Sequence, residues 1–191
     1  CSCIGAALAE GQIIHFGCDD GIYLPSSIDI SLNYLRNINN EKGIVSCRYF
    51  ECNPFIYNDQ YFYINSHDSL RSKFVEDRWL IFNVVFMHKI YYDYIGGLDC
   101  IFQTTAISSS DLAIRCQRDN AHVFLTNDFC LACSQEPGIT GSHKAIHNAQ
   151  PKDEALYHKI YNGTECKNKT RIDINNWTKT IPVWSRFTNK E

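Results

Sequence analysis

The chain has 191 residues, of which 45% are hydrophobic and 13% aromatic, and this composition predicts a folded protein rather than a disordered one. Its formal net charge of −3 provides no basic excess to neutralise phosphates, so we expect no nucleic-acid binding. The longest uncharged apolar stretch, Trp79–Met87, is far too short to cross a bilayer, so we expect no membrane insertion.

Short runs of β-branched and aromatic residues predict strands in the first two-thirds of the chain. Turn residues such as Asp19-Asp20-Gly21 and Gly96-Gly97 separate these runs. Strands at this spacing favour a barrel or a sandwich. The predicted strands are Gln12–Phe16, Gly43–Cys47, Gln60–Ile64, Trp79–Phe86 and Lys89–Tyr94.

Two helices are predicted in the second half of the chain. Ser109–Arg118 begins with a serine cap and carries Asp111 in its first turn, where a negative charge is favourable. Lys152–Asn162 follows Pro151 and precedes Gly163, the residues that commonly start and end a helix. After Cys166 the chain turns polar, which predicts a loosely packed tail.

Ten cysteines, an even number spread through the chain, favour a disulfide framework formed in an oxidising compartment. Three N-glycosylation sequons, at Asn162, Asn168 and Asn176, point the same way. No signal peptide is recognisable, which we interpret as a chain numbered from its processed end. We therefore expect a secreted, soluble protein.

The spacing of the cysteines resembles the tissue inhibitors of metalloproteinases, a family with a netrin-like domain. That family begins with Cys-x-Cys, as in Cys1-Ser2-Cys3 here, and a third cysteine follows a phenylalanine, as Cys18 follows Phe16. The other segments that carry the resemblance extend it over residues 1–133. They are Gly43–Tyr49, Arg78–Ile81, Leu98–Phe102, Ser108–Arg118 and the pair Cys130/Cys133.

The resemblance implies a mainly β fold, a netrin-like OB-fold barrel over residues 1–133 with flanking short helices. Residues 134–191 would form a small C-terminal extension with one helix. The Cys18–Cys47 interval is shorter than in the family, and the extension has only Cys166 where the family has several cysteines. The implied disulfides are Cys1–Cys47, Cys3–Cys100 and Cys18–Cys130, and the remaining cysteines would then pair as Cys52–Cys116 and Cys133–Cys166; sequence alone does not fix this connectivity.

The resemblance also implies a function, inhibition of a zinc metalloprotease. A catalytic zinc keeps one coordination position for water, and the α-amine and carbonyl of Cys1 could chelate the target's zinc there. An α-amine has a pKa near 8, so the metal displaces its proton at little cost. The implied contacts with the protease are Cys1, Ser2, Cys3, Ile4, Val45, Ser46, Cys47, Leu98 and Asp99.

Two other functions stay open. The first is a secreted netrin-like glycoprotein that binds a host or matrix protein without inhibiting a protease, with Cys1 and Cys3 as structural staples only. The second is an intracellular protein that binds zinc through Cys130, Cys133, His143 and His147, a set with the ligand types of a zinc finger. The central gap of that pattern is short for a finger, and it requires reduced thiols.

We expect neither an enzyme nor a resident cofactor. The seven histidines are scattered, and no paired-carboxylate or nucleophile motif is recognisable. His15, His67 and His88 lie in or near predicted strands, where structural roles are common. The tyrosines at 91, 92 and 94 are predicted to pack in the core or on the barrel, with a partner-binding aromatic face as the alternative. We expect a monomer.

Overall fold

The computed structural model describes residues 2–17, 21–51, 66–67, 84–133 and 144–161. These residues form five helices and six strands. The helices are α1 (Ser2–Leu8), α2 (Ser27–Ile38), α3 (Lys89–Ile95), α4 (Thr105–Arg118) and α5 (Lys144–Ile160). The strands are β1 (Ile13–Phe16), β2 (Gly21–Tyr23), β3 (Gly43–Glu51), β4 (Ser66–His67), β5 (Val85–His88) and β6 (His122–Cys133).

The strands form one mixed sheet in the order β1-β5-β3-β6-β2, and β4 also pairs with β3. All pairings are antiparallel except β3 with β6, which run parallel. The two outermost strands of this order approach each other, because His15 of β1 contacts Tyr23 of β2. The sheet therefore curls into a half-barrel, which confirms a barrel-like sheet in its coarse form.

Two clusters of buried side chains pack between the sheet and the helices. One lies beneath α1, α3 and α4 and is centred on fully buried Ile44 and Met87. The other packs α2 against β3 and β6 through Leu35 and Val45. Each fully buried aliphatic side chain contributes roughly 1.5–3 kcal/mol of transfer free energy, so these clusters are the main source of stability.

A third cluster joins α4 to α5, the helix of the predicted C-terminal extension. Tyr157 is fully buried there against Phe102 and Ile107. The carboxylate of Asp153 accepts hydrogen bonds from the backbone N–H groups of Gln103 and Thr104, at 2.8 and 2.6 Å. These contacts attach α5 to the start of α4 and to the residues just before it.

Several predicted elements are confirmed and others need correction. The strands at Gln12–Phe16 and Gly43–Cys47 are present as β1 and the start of β3, and β5 overlaps the end of the predicted strand Trp79–Phe86. The helix predicted from Ser109 is present but begins at Thr105. The predicted strand Gln60–Ile64 lies outside the described residues.

The predicted strand Lys89–Tyr94 is wrong, because this segment is helix α3. Its burial follows a helical period: Tyr91 and Ile95 are buried one turn apart, whereas Ile90 and Tyr94 face solvent. The high β-propensity of the tyrosines is overridden by this packing. Gly96, at a φ of 92°, ends the helix in the left-handed conformation that glycine adopts without strain.

The predicted start of α5 at Lys152, directly after Pro151, is also wrong, since the helix begins at Lys144 and contains the proline. Proline lacks the N–H that would bond to the carbonyl of His147. Because both residues are exposed, water can satisfy that carbonyl. The helices are also longer than the short flanking helices that the resemblance implies: α2, α4 and α5 have 12, 14 and 17 residues.

Candidate functional site

The N-terminal segment is a helix rather than an extended wedge. Helix α1 begins at Ser2, so the backbone of Ser2, Cys3 and Ile4 is helical, and Cys1 lies outside the described residues. The following residues, Ala6 to Leu8, are among the strongest helix formers. Ala6 is buried in the core, which fixes α1 to the sheet, whereas Ser2 is exposed. An extended insertion of residues 1–4 into a cleft requires the first turn of α1 to unwind.

The other residues implied to contact a protease are buried. Val45 and Ser46 lie in β3, which is flanked by β5 and β6, and they are 0% and 4% exposed. Leu98 belongs to the core, and its backbone N–H donates to the hydroxyl of Tyr92 at 3.0 Å. Asp99 is 2% exposed and accepts from the N–H of Ile101. In this structure these four residues support the fold and present no surface to a partner.

Cys47, the remaining implied contact, is also buried and lies beside Cys130. The hydroxyl oxygen of Ser31 is 3.3 Å from the sulfur of Cys47 and 3.7 Å from that of Cys130. Among the cysteines whose side chains are described, no two are joined by a disulfide. The implied pairings stay predictions, because each of them includes a cysteine that lies outside the described part of the structure: Cys1, Cys18, Cys52, Cys166 or the side chain of Cys3.

The predicted zinc-ligand set is not brought together. Cys130 and Cys133 lie on β6, and both are buried in the same cluster of side chains between the sheet and α2. His147 is exposed on α5, and His143 lies outside the described residues. Within the described part of the chain, no group of three or more His, Cys, Asp or Glu residues could hold a metal ion.

Among the residues that the structure describes, the most exposed aromatic side chain of the large hydrophobic residues lies on α3. Tyr94 is 66% exposed and Ile90, one turn earlier, is 63% exposed. Residues four apart share one side of a helix, so these two form a continuous apolar surface, here called the α3 face. Tyr91 and Tyr92 pack into the core as predicted, whereas Tyr94 does not.

Charged side chains surround the α3 face. The ammonium of Lys42 lies 5.9 Å from the centre of the Tyr94 ring and 2.8 Å from the carboxylate of Asp119. That carboxylate raises the pKa of Lys42, so the ammonium stays charged at neutral pH. On the other side, Lys89 pairs with Asp93 at 2.6 Å. The arrangement is an apolar centre with a rim that carries both signs of charge.

A surface cavity of about 440 Å³ adjoins the α3 face. It lies between the loop that follows α1 and the first turn of α3, where the backbone N–H of Lys89 donates to the carbonyl of Gln12 at 2.9 Å. Its lining is formed by Gly11, Gln12, His88, Lys89, Ile90 and Asp93. A side chain of a bound protein could enter this cavity while its neighbours cover Ile90.

His15 closes the half-barrel through both of its ring nitrogens. In the neutral ring, the Nδ1–H donates to the carbonyl of Val85 at 2.8 Å, and Nε2 then accepts from the hydroxyl of Tyr23 at 2.5 Å. Burial lowers the pKa of His15, and the bond to Val85 only partly opposes this. The ring also stacks on Phe86. These contacts give His15 a structural role, as the sequence predicted.

Sequence reasoning missed the α3 face because it assigned the segment to a strand. The signals that could have identified the helix were the Lys89/Asp93 pair at a spacing of four and the Gly96-Gly97 stop.

The three sequons lie outside the described residues. Among the helices that are described, none is long and apolar enough to cross a membrane. No protein-family model and no curated protein sequence matches this chain.

Proposed function

We propose that this chain is a secreted, non-enzymatic binding protein that contacts a host or matrix protein through the α3 face. The observation that carries the proposal is the exposure of Ile90 and Tyr94 side by side, each to more than three-fifths. Two adjacent exposed apolar side chains surrounded by a charged rim are characteristic of a recognition surface. Burying the two side chains would contribute about 1.5–3 kcal/mol each.

The rim and the cavity determine the kind of partner. The pairs Lys42–Asp119 and Lys89–Asp93 offer both donors and acceptors, so the partner rim is expected to carry charges of both signs. The cavity beside Ile90 suits one projecting apolar or amide side chain of the partner. A protein surface supplies this combination of an anchor, an apolar patch and a mixed rim.

Secretion is part of the same proposal. It is supported by the ten dispersed cysteines and by the sequons in the last thirty residues. The finer fold assignment, a netrin-like OB barrel, is supported by the curled five-strand order with one parallel pair. The chain path differs from a simple meander, because α2 connects β2 to β3 and these two strands do not pair.

The test is a binding screen of the full chain, made multivalent, against an array of purified extracellular proteins. A partner that binds the native chain should lose at least tenfold in affinity with Ile90→Asp or Tyr94→Asp. Ile146→Asp is the matched control, because Ile146 is 44% exposed on α5 and lies outside the α3 face. Binding that survives both α3 variants, or the lack of any bound protein on the array, would contradict the proposal.

Metalloprotease inhibition is the second candidate, favoured by the position of Ser2. This residue is exposed at the start of α1, so the segment that would carry the Cys1 chelate is at the surface rather than in the core. The experiment is a titration of zinc endopeptidases with the chain beginning at Cys1, beside a form with one alanine added before it. Inhibition that disappears with the added alanine would establish the chelate, and no inhibition by either form would eliminate this candidate.

A further inference from the structure

Cys47 and Cys130 are two buried cysteines in the core between the sheet and α2. They are 3% and 2% exposed and belong to the same cluster of buried side chains. One atom lies against both sulfurs, since the hydroxyl oxygen of Ser31 is 3.3 Å from the sulfur of Cys47 and 3.7 Å from that of Cys130. The two cysteines are on adjacent strands, β3 and β6, although more than eighty residues separate them along the chain.

Two irregularities in the β3–β6 ladder place Cys130 near Cys47. Ser46 pairs with Leu125 but Arg48 pairs with Phe129, and Tyr49 then pairs with Leu131. Strand β6 therefore contains extra residues at both steps, and Cys130 has no residue opposite it. Because bulged residues leave the regular alternation of a strand, Cys130 can turn its side chain toward Cys47.

We propose that Cys47 and Cys130 form a disulfide bond in the oxidised protein. Neighbouring strands lie about 4.8 Å apart, and an offset of about one residue along the strand gives Cys47 and Cys130 a Cα separation of about 6 Å, within the range of about 4.4–6.8 Å that disulfides span. The oxidant is a small-molecule disulfide such as oxidised glutathione. The two thiols lose two electrons and two protons, one S–S bond forms between the sulfurs, and the oxidant is reduced to two thiols. This inference does not depend on the α3 face or on any partner.

The exchange proceeds through a mixed disulfide. One of the two thiolates attacks the small-molecule disulfide, and the other cysteine then displaces the bound thiol. Because both sulfurs are buried, this exchange takes place during folding or in a locally opened sheet.

The test maps disulfides in the full chain, refolded with oxidised and reduced glutathione, by mass spectrometry after acid quenching and alkylation. The expected result is a cross-linked pair of peptides that contain Cys47 and Cys130. Two outcomes overturn the proposal: cross-links of Cys47 to Cys1 and of Cys130 to Cys18, or alkylation of both cysteines as thiols.

Variants give a second readout that depends only on counting thiols in the denatured chain. Cys47→Ser should add one alkylated thiol relative to the native chain and should place it on Cys130. Cys47→Ser/Cys130→Ser should add none. Cys116→Ser is the control, since Cys116 is buried in a different cluster and its loss should not expose Cys130 to alkylation. Appearance of the new thiol on Cys1 in the Cys47 variant would refute the pairing.

Discussion

The buried ion pair between Asp111 and Arg115 makes a quantitative prediction about what holds α3 in place. The guanidinium contacts one carboxylate oxygen through Nε at 3.0 Å and through a terminal nitrogen at 2.7 Å. It also donates to the carbonyls of Ile95 and Gly97, at the end of α3. Burial opposes the charge of Arg115, but Asp111 more than offsets this and the pKa of Arg115 is raised.

Arg115→Ala would leave the Asp111 carboxylate, whose side chain is 0% exposed, without its counter-charge. Removing one partner of a buried ion pair costs about 3–5 kcal/mol. For a chain of this size each kcal/mol lowers the melting temperature by about 2–4 °C, so we expect a loss of roughly 6–20 °C. Asp111→Leu/Arg115→Met removes both charges and should recover at least half of that loss.

The assay is urea and thermal unfolding followed by circular dichroism, at one fixed redox condition. Arg36→Ala is the control, because Arg36 is exposed on α2 and its loss should change the free energy of unfolding by no more than about 0.5 kcal/mol. A loss below 1 kcal/mol for Arg115→Ala, or a double variant no more stable than the single one, would refute this account of α3.

Three further predictions concern other parts of the fold. Burial lowers the pKa of His15 below its usual 6.5, so as the pH falls the unfolded chain takes up a proton at this residue before the folded chain does. The urea concentration at the unfolding midpoint should therefore fall as the pH drops below about 6.5, and His15→Gln should flatten this dependence. An equal fall in the His15→Gln variant would contradict the prediction. Reducing a Cys47–Cys130 bond, which closes a loop of roughly 80 residues, should lower the free energy of unfolding by up to about 4.5 kcal/mol, a loss that Cys47→Ser should reproduce without added reductant. Asp153→Asn should lower the free energy of unfolding by roughly 1–3 kcal/mol, measured by thermal unfolding, since one oxygen of Asp153 accepts hydrogen bonds from the backbone N–H and the hydroxyl of Thr104. An unchanged free energy of unfolding would show that this carboxylate is dispensable.

The sequence predicted those parts of the fold whose patterning is local. Gly43–Cys47 is a short run with the β-branched residues Ile44 and Val45 at its centre, and it forms the start of the central strand. Helix α2 was not predicted, because two of its buried positions hold Ser27 and Ser31 rather than aliphatic residues. In a linear pattern those serines look exposed, although both are buried in the structure.

Strand β6 was missed for a different reason. Its apolar residues are interrupted by Thr126-Asn127-Asp128, which read as a turn in the sequence. In the structure this tripeptide forms the first irregularity of the ladder, where the hydroxyl of Thr126 accepts from the N–H of Arg48 at 2.9 Å and donates to the carbonyl of Asp128 at 2.8 Å. The polar residues continue the strand because its irregular backbone requires their hydrogen bonds.

The candidate site was less predictable than the fold, because it depends on contacts between distant segments. No local pattern places Lys42 over the ring of Tyr94, since Lys42 lies in the turn before β3, Tyr94 lies on α3, and the two meet only when β3 and α3 pack on the same core. The α3 face also depends on which residues of Lys89–Ile95 are buried, and the core decides that. Sequence reasoning identified the aromatic residues but could not assign them to the inside or the outside.

The connectivity of Cys47 links the two candidate functions. A rigid N-terminal wedge requires Cys1 to be held by Cys47, because an untethered segment loses conformational entropy on binding and its affinity falls accordingly. If Cys47 instead bonds to Cys130, that tether is not available, and α1 is held to the sheet through the burial of Ala6. A Cys47–Cys130 bond therefore argues against metalloprotease inhibition and leaves the α3 face unaffected, whereas a Cys1–Cys47 bond would restore the case for the wedge.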